Sequence, residues 1–354
     1  MSDHTEFLTT NQANGQRKQE HLDIALNNDV KFKEISTGLE DYQFVHQALP
    51  EIALDSVDLS THLFGKRLNA PIVISSMVGG IDAAAPINQN LAEAAQVMGL
   101  AMGVGSQRCL IDDPRTAPTY QVRDVAPDIL LFANLGAVQL NYGYGVSECR
   151  QAVEMIDADA LILHLNPLQE ALQPDGNTNF ANLLSKIELV CRELRVPVIV
   201  KEVGWGISEN VARKLADVGV AGIDVAGAGG TLWSEVERYR AHNETDNNTA
   251  AAFASWGIPT ADSIQMAKRG APKLTLIASG GIRSGLDVAK AIALGADAAG
   301  IAAPLLNAAS VSAECVMAAL QEIIEVLKIS MFCIGAASLT ELKGSPFLKR
   351  KLRG

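Results

Sequence analysis

The side chains best suited to chemistry fall into a few short clusters. In HLNPLQE, residues 164–170, His164 and Asn166 stand two apart at the end of an apolar run, so an extended chain puts them on one face. Pro167 ends that run and leaves Gln169 and Glu170 in the segment beyond it. The Glu170 carboxylate is a hard oxygen ligand of the kind Mg²⁺ takes one or two of, completing its shell with phosphate and water. No His/Cys spacing suits zinc. Read alone, His164 could as well be a satisfied core histidine, and Gln169 and Glu170 ordinary loop residues. In KEVGWG, residues 201–206, Lys201 ends another apolar run. An unpaired buried ammonium is costly. It therefore calls for a salt bridge with Glu202 or another acid, a Schiff base, or the electron-rich edge of a cofactor, which the surrounding glycines favour. In ASGGIRSG, residues 278–285, Gly280 and Gly281 let main-chain N–H groups approach an anion beside Arg283. A helix beginning near Ser284 adds its positive end. The same segment would also serve as a plain turn with a helix cap. Arg108, in GSQR, is a second candidate anion clamp, because a guanidinium contacts phosphate in bidentate fashion. Arg17 and Lys18, in RKQEH, are by default solvated surface charge.

These clusters need a scaffold that brings them together. From Pro71 onward, eight short apolar runs alternate with Ala-rich helical stretches: PIVISS, AMGVG, ILLFAN, ALILHLN, PVIVKEVG, GIDVAG, LTLIASGG and AAGIAA. Runs without polar alternation fit parallel strands covered by helices on their outer side. Gly99, Gly219 and Gly295 each precede a run, where helix C-caps are expected. Eight βα units predict a closed (β/α)8 TIM barrel of the α/β class, with the active site at the C-terminal strand ends. A doubly wound open sheet is the rival. The barrel is preferred because polar residues recur at those ends: Ser75 and Ser76, Ser106 to Arg108, Asn134, His164, Asn166, Lys201, Thr231 and Arg283. Loops after the seventh and eighth strands commonly form the phosphate site of this fold, which favours phosphate binding at 280–283. The longest interruption, residues 238–264, reads as a flexible excursion, either a surface insertion or an active-site lid. Residues 1–16 are polar and aperiodic and are expected to be disordered. Residues 17–354 then form one barrel domain with an N-terminal extension.

Composition narrows the class. The 354 residues carry a formal net charge of −11, which disfavours a nucleic-acid surface and requires a locally basic pocket for any polyanionic substrate. No apolar stretch reaches the length of a membrane span, and no signal peptide is visible. The five cysteines are scattered, with no CxxC, and read as reduced thiols of a soluble cytoplasmic protein.

Taken in order, RKQEH, LEDYQFVHQALPEI, APIVISSMVGG, GVGSQR, FANLGAVQ, HLNPLQE, KEVGWGIS, DVAGAGGT, WGIPTADSI and ASGGIRSG resemble the type 2, FMN-dependent isopentenyl-diphosphate isomerases over residues 17–310. The resemblance implies an isomerase of isoprenoid biosynthesis. It would use reduced FMN, Mg²⁺ and NADPH or NADH as reductant, and would form a tetrameric or octameric homo-oligomer. It implies diphosphate binding by Arg17, Lys18, His21, Ser106, Gln107, Arg108, His164 and Asn166. Gln169 would lie at the reacting carbons, and Glu170 would bind the metal and share in catalysis. FMN would be held by Ser76, Met77, Val78, Ser106, Asn134, Lys201, Thr231, Gly280, Gly281, Arg283, Ala302 and Ala303. Three positions depart from the family pattern: Val78 for Thr, Leu232 for Ser, and Glu20 for Asp. The alternatives are an FMN-dependent 2-hydroxy-acid oxidoreductase and a non-catalytic FMN-binding protein. The first would need a histidine base with an arginine clamp on the late loops, and the second would tolerate loss of Gln169 and Glu170.

Overall fold

The computed structural model describes residues 2–351, with side chains from Gly15 onward. Eight parallel strands close into one barrel: β1 (Ile72–Ile74), β2 (Ala101–Gly103), β3 (Leu130–Gly136), β4 (Ala160–Leu165), β5 (Val198–Glu202), β6 (Gly222–Asp224), β7 (Thr275–Ala278) and β8 (Ala298–Ile301). Each lies within one of the eight apolar runs, except that β3 continues two residues past its run to Gly136. The strands are apolar on both faces because both are buried. Val73, Phe132, Ile162, Ile199 and Ile277 fill the barrel interior, while Ile72, Ile74, Leu131, Leu161, Leu163, Val198 and Val200 pack outward against the helices. The expected caps are in place. Gly99 closes the helix Ala84–Met98 in the left-handed region, and Ser284 with Asp287 forms a capping box on Gly285–Ala293.

The floor of the barrel is sealed by an antiparallel hairpin, Thr61–Leu63 with Lys66–Leu68. Its two turn residues, Phe64 and Gly65, both have positive φ, as a tight two-residue hairpin turn requires. A phenylalanine in that position is strained, but its partly buried ring packs edge-on against Phe132 with centroids 6.0 Å apart. It also leaves no room for a side chain at Gly222, where a Cβ would lie 2.8 Å from the ring. A second pair, Tyr42–Phe44 with Leu348–Arg350, ties the two ends of the chain together. No helix among the described residues is long and apolar enough to cross a membrane.

Two segments are more regular than the sequence pattern suggests. Helix α1 spans Ser2–Asn27, so the backbone is helical across residues with no apolar periodicity; propagation from packed turns adds only one residue at a time. Residues 238–264, expected as an irregular excursion, contain a helix at Glu244–Ala251. Asn243 begins it by accepting a hydrogen bond from the Asp246 N–H at 2.9 Å. Two further helices position the site, α2 (Pro167–Leu172) after β4 and α3 (Trp233–Tyr239) after β6.

Candidate active site

A cavity of about 820 Å³ opens at the C-terminal ends of the strands, within the size range of cofactor and substrate pockets. Every residue expected at the site lines it except one. Ser76, Met77 and Val78 come from the end of β1, Ser106 and Arg108 follow β2, and Asn134 ends β3. His164 ends β4; Asn166, Gln169 and Glu170 follow it. Lys201 belongs to β5, Thr231 follows β6, Gly280, Gly281 and Arg283 follow β7, and Ala302 and Ala303 follow β8. Helix α1 lies across the opening and adds Arg17, Lys18 and His21.

The exception is Gln107, which is completely buried away from the cavity. Its Oε1 accepts from the Asn134 N–H at 2.8 Å and its Nε2 donates to the Ala152 carbonyl at 2.8 Å. Gln107 therefore braces the end of β3 and touches the cavity wall only through Asn134. Spacing within GSQR could not show this, because the residue begins the short helix Arg108–Asp112 and turns outward there.

Lys18 lines the cavity, but its ammonium is engaged. It donates to the carbonyls of Gly79 and Ser106 at 2.8 and 2.9 Å and to the Tyr120 hydroxyl at 2.8 Å. Tyr120 in turn donates to the Ser106 carbonyl at 2.6 Å. Burial, the largest influence, lowers the pKa of this lysine. Gly79 must be glycine here, since a Cβ would lie 2.1 Å from the Tyr120 ring. Tyr120 was not legible as a site residue: it stands in no motif and meets Lys18 only through the fold. Arg17 is the freer cation of the pair. Burial, then the neighbouring Arg108, lowers its pKa, while the Glu170 carboxylate opposes them. Arg17 and Arg108 thus converge as like charges in an acidic protein, an arrangement that suits a polyanion between them.

The two ends of HLNPLQE do different work. Asn166 Nδ2 donates to Gln169 Oε1 at 3.2 Å and to Glu170 Oε1 at 3.0 Å. Glu170 Oε2 accepts from the Asn177 N–H at 2.7 Å. Among the described residues, Asn166 Oδ1 is buried without a partner, so a second oxygen donor stands unused next to the Glu170 carboxylate. This pair fits Mg²⁺ as a hard cation that takes its remaining ligands from phosphate and water. The described residues hold no cluster of three or more His, Cys, Asp or Glu able to bind a metal unaided.

His164 Nδ1 lies 2.9 Å from Asn134 Oδ1, a carbonyl oxygen that can only accept, so the ring carries its proton on Nδ1 and offers Nε2 as an acceptor. Burial, followed by the charges of Lys201 and Lys18, lowers its pKa from 6.5 to about 4. The unfolded chain therefore binds a proton that the folded one refuses between those values. Stability contributed by neutral His164 is complete above pH 6.5 and is lost as pH falls toward 4. We expect His164→Gln to flatten this slope, with the Tm difference between pH 7 and pH 5 smaller than in the parent; an unchanged slope would show that another group sets it.

Lys201 lies beneath the cavity beside two buried acids. It pairs in register with Asp224 on β6, and its ammonium donates to the Glu202 carbonyl at 2.7 Å. Burial raises the Asp224 pKa against the pull of Lys201, and Ser279 Oγ donates to Asp224 at 2.5 Å. Burial also lifts Glu202 to about 7, against hydrogen bonds from the N–H groups of Trp205, Gly204 and Val203. The cavity wall beyond Lys201 is built from main chain. Gly280 and Gly281 have φ of 99° and 73°, and a Cβ on Gly281 would lie 2.5 Å from the Gly229 carbonyl. Ser75 Oγ and Ser76 Oγ are buried at the cavity without partners among the described residues. Bare main chain, a capped helix start and unpaired hydroxyls together fit a phosphorylated cofactor, FMN included. At Val78 the main-chain carbonyl accepts from Gly105 N–H at 2.9 Å, so this contact survives the change of side chain. Leu232 is buried against Phe32, Trp205 and Ala228.

Comparison with known proteins agrees with this picture. The model of the family "FMN-dependent dehydrogenase" matches residues 12–113 and 165–349. A Nostoc protein named isopentenyl-diphosphate delta-isomerase is 54% identical over 338 residues, covering 94% of this chain and 95% of its own. A Synechocystis protein of the same name is 55% identical over 335 residues, covering 95% and 96%. Among solved structures, a mandelate oxidase mutant with an FMN monooxide adduct superposes with a TM-score of 0.63 at 19% identity, covering 90% of each chain, and shows the fold alone.

Proposed function

The chain belongs to the FMN-dependent dehydrogenase family and, within it, to the isopentenyl-diphosphate delta-isomerases, and from this we propose how its residues carry the reaction. The enzyme interconverts isopentenyl and dimethylallyl diphosphate: a proton is added at the terminal carbon, one is removed from C2, and no net oxidation occurs. When bound, reduced FMN, with NADPH or NADH as its reductant, would supply a proton donor and an electron-rich ring. Arg17 and Arg108 grip the diphosphate from opposite elements, and Lys18 pins the loops that carry Gly79 and Ser106. Glu170 with Asn166 holds Mg²⁺ against the same diphosphate. Asn166 orients Gln169 toward the reacting carbons, where it moves a proton alone or with Glu170 or water. Neutral His164 offers Nε2 as an acceptor without adding positive charge near a carbocation. Lys201 faces the cofactor edge and compensates the acids below it. Closure by α1 keeps water from the cation. The enzyme acts in the cytoplasm as a tetramer or octamer, on the strength of the family resemblance.

The convergence of Arg17 and Arg108 opposite Glu170 over an acid-compensating lysine carries this reading. Its test is anaerobic incubation with isopentenyl diphosphate, FMN and Mg²⁺, with and without NADPH, followed by NMR. Dimethylallyl diphosphate formed only with reductant supports it. No product from protein holding reduced FMN would overturn it and favour 2-hydroxy-acid oxidation.

A further inference from the structure

The reading above needs α1 seated over the cavity, yet its apolar surface does little to hold it there. Only Leu22 is well buried on the described part of the helix, with Ala25 and Leu26 partly so. Docking also brings Arg17 toward Arg108, which is unfavourable without an anion, while the cost of burying the Lys18 ammonium is offset by its bonds to Gly79, Ser106 and Tyr120. Beyond the Lys18 bonds, a second contribution comes from α3 and the residue after it. Glu237 Oε1 lies 2.9 Å from His21 Nε2, and Glu237 Oε2 accepts from Arg240 Nη1 at 2.6 Å. Arg240 Nε then reaches Glu20 Oε2 at 2.9 Å. Two α1 side chains and two from the segment after β6 thus form one connected polar chain.

Burial decides which links matter. The Glu237 side chain is 1% exposed and that of Arg240 12%, whereas Glu20 is 40% exposed. An exposed pair adds little, but removing one partner of a buried pair strands the other charge. Arg240 is the one group that joins the buried carboxylate to α1 through a second contact. Helix α3 also packs against α2, which carries Gln169 and Glu170, so it stands between the two halves of the diphosphate site. Resting on the function proposed above, we propose that Arg240 is a positioning residue: by holding Glu237 against His21 and reaching Glu20, it seats α1 on α3 and sets Arg17 opposite Glu170.

The test uses the full-length, FMN-loaded protein with Arg240→Ala, and measures steady-state kinetics and amide hydrogen exchange together. The expected result is a rise of about tenfold or more in the KM for isopentenyl diphosphate with kcat within about threefold, since a mispositioned binding group weakens binding rather than chemistry. Exchange over residues 16–27 should accelerate by about tenfold while the barrel strands and the flavin spectrum stay as in the parent. Arg240→Lys should recover part of both effects, and Glu20→Gln should produce a smaller version of each. Parental KM and parental exchange in Arg240→Ala would overturn the proposal, as would acceleration spread evenly through the barrel. Should Arg240→Ala not fold, Glu237→Gln, which keeps the shape and removes the buried charge, must loosen α1 in the same way or the proposal fails. The exchange measurement needs no turnover, so a parent protein lacking isomerase activity would defeat the functional reading and leave the seating of α1 to be judged separately.

Discussion

Replacing Glu170 by Gln is expected to lower kcat by about 10³-fold, the scale of several kcal/mol of charge stabilisation, while leaving flavin binding intact. The two side chains have nearly the same shape, so packing is conserved and charge is not. Both carboxylate oxygens accept N–H donors, from Asn166 on one side and from Asn177 and Gln173 on the other. Whichever way the new amide turns, its NH₂ meets a donor, at a cost of about 1–3 kcal/mol for groups left unsatisfied. The loss also removes the one acid whose charge favours protonated Arg17, leaving Arg17 and Arg108 to repel each other. Flavin binding should persist because the glycine wall and the unpaired serines lie on other strands. Activity against Mg²⁺ concentration, together with the flavin absorbance of the purified variant, checks both halves. Turnover at the parental level with ordinary Mg²⁺ dependence would sink the role given to Glu170.

The second large effect is on stability. Lys201→Met keeps most of the side-chain volume but removes the positive charge that opposes the effect of burial on Asp224 and Glu202 and leaves the Glu202 carbonyl without its donor, at a cost of about 1–3 kcal/mol. Both carboxyls already have pKa values raised by burial, Glu202 to about 7, and Lys201 holds them lower than they would otherwise be. A carboxyl whose pKa is higher in the folded state binds its proton more tightly there. Its contribution to stability is therefore fully present at low pH and is lost as pH rises through the folded value. The Tm deficit of Lys201→Met relative to the parent should accordingly widen from pH 5 to pH 8, with weaker retention of flavin. An equal deficit at every pH would mean that Lys201 acts through packing alone.

The barrel was legible because its evidence is local. Each strand is an apolar run of a few residues bounded by glycine or a capping serine, and burial on both faces removes the alternation that would mark an exposed sheet. The polar residues at the strand ends were legible for the same reason, and all but Gln107 reach one cavity. What was not legible depends on contacts distant in sequence. Nothing near Lys18 announces that Gly79, Ser106 and Tyr120 will occupy its three hydrogens. Nothing near Arg240 announces Glu20, 220 positions earlier. The helix at Glu244–Ala251 escaped notice because a short polar helix has no apolar stripe, and the capping by Asn243 that starts it is easily taken for loop composition.

That separation has a consequence for how the molecule is made. Helix α1 is synthesised before every barrel strand, but its seat is completed only by Glu237 and Arg240. At about 5–20 residues per second, roughly 11–44 seconds of synthesis separate Glu20 from its partner. The last two strands, β7 and β8, follow later still, so the parts of the seat are made before the barrel can close. The order of synthesis thus lets α1 find its seat on α3 without waiting for the cavity it covers to be finished.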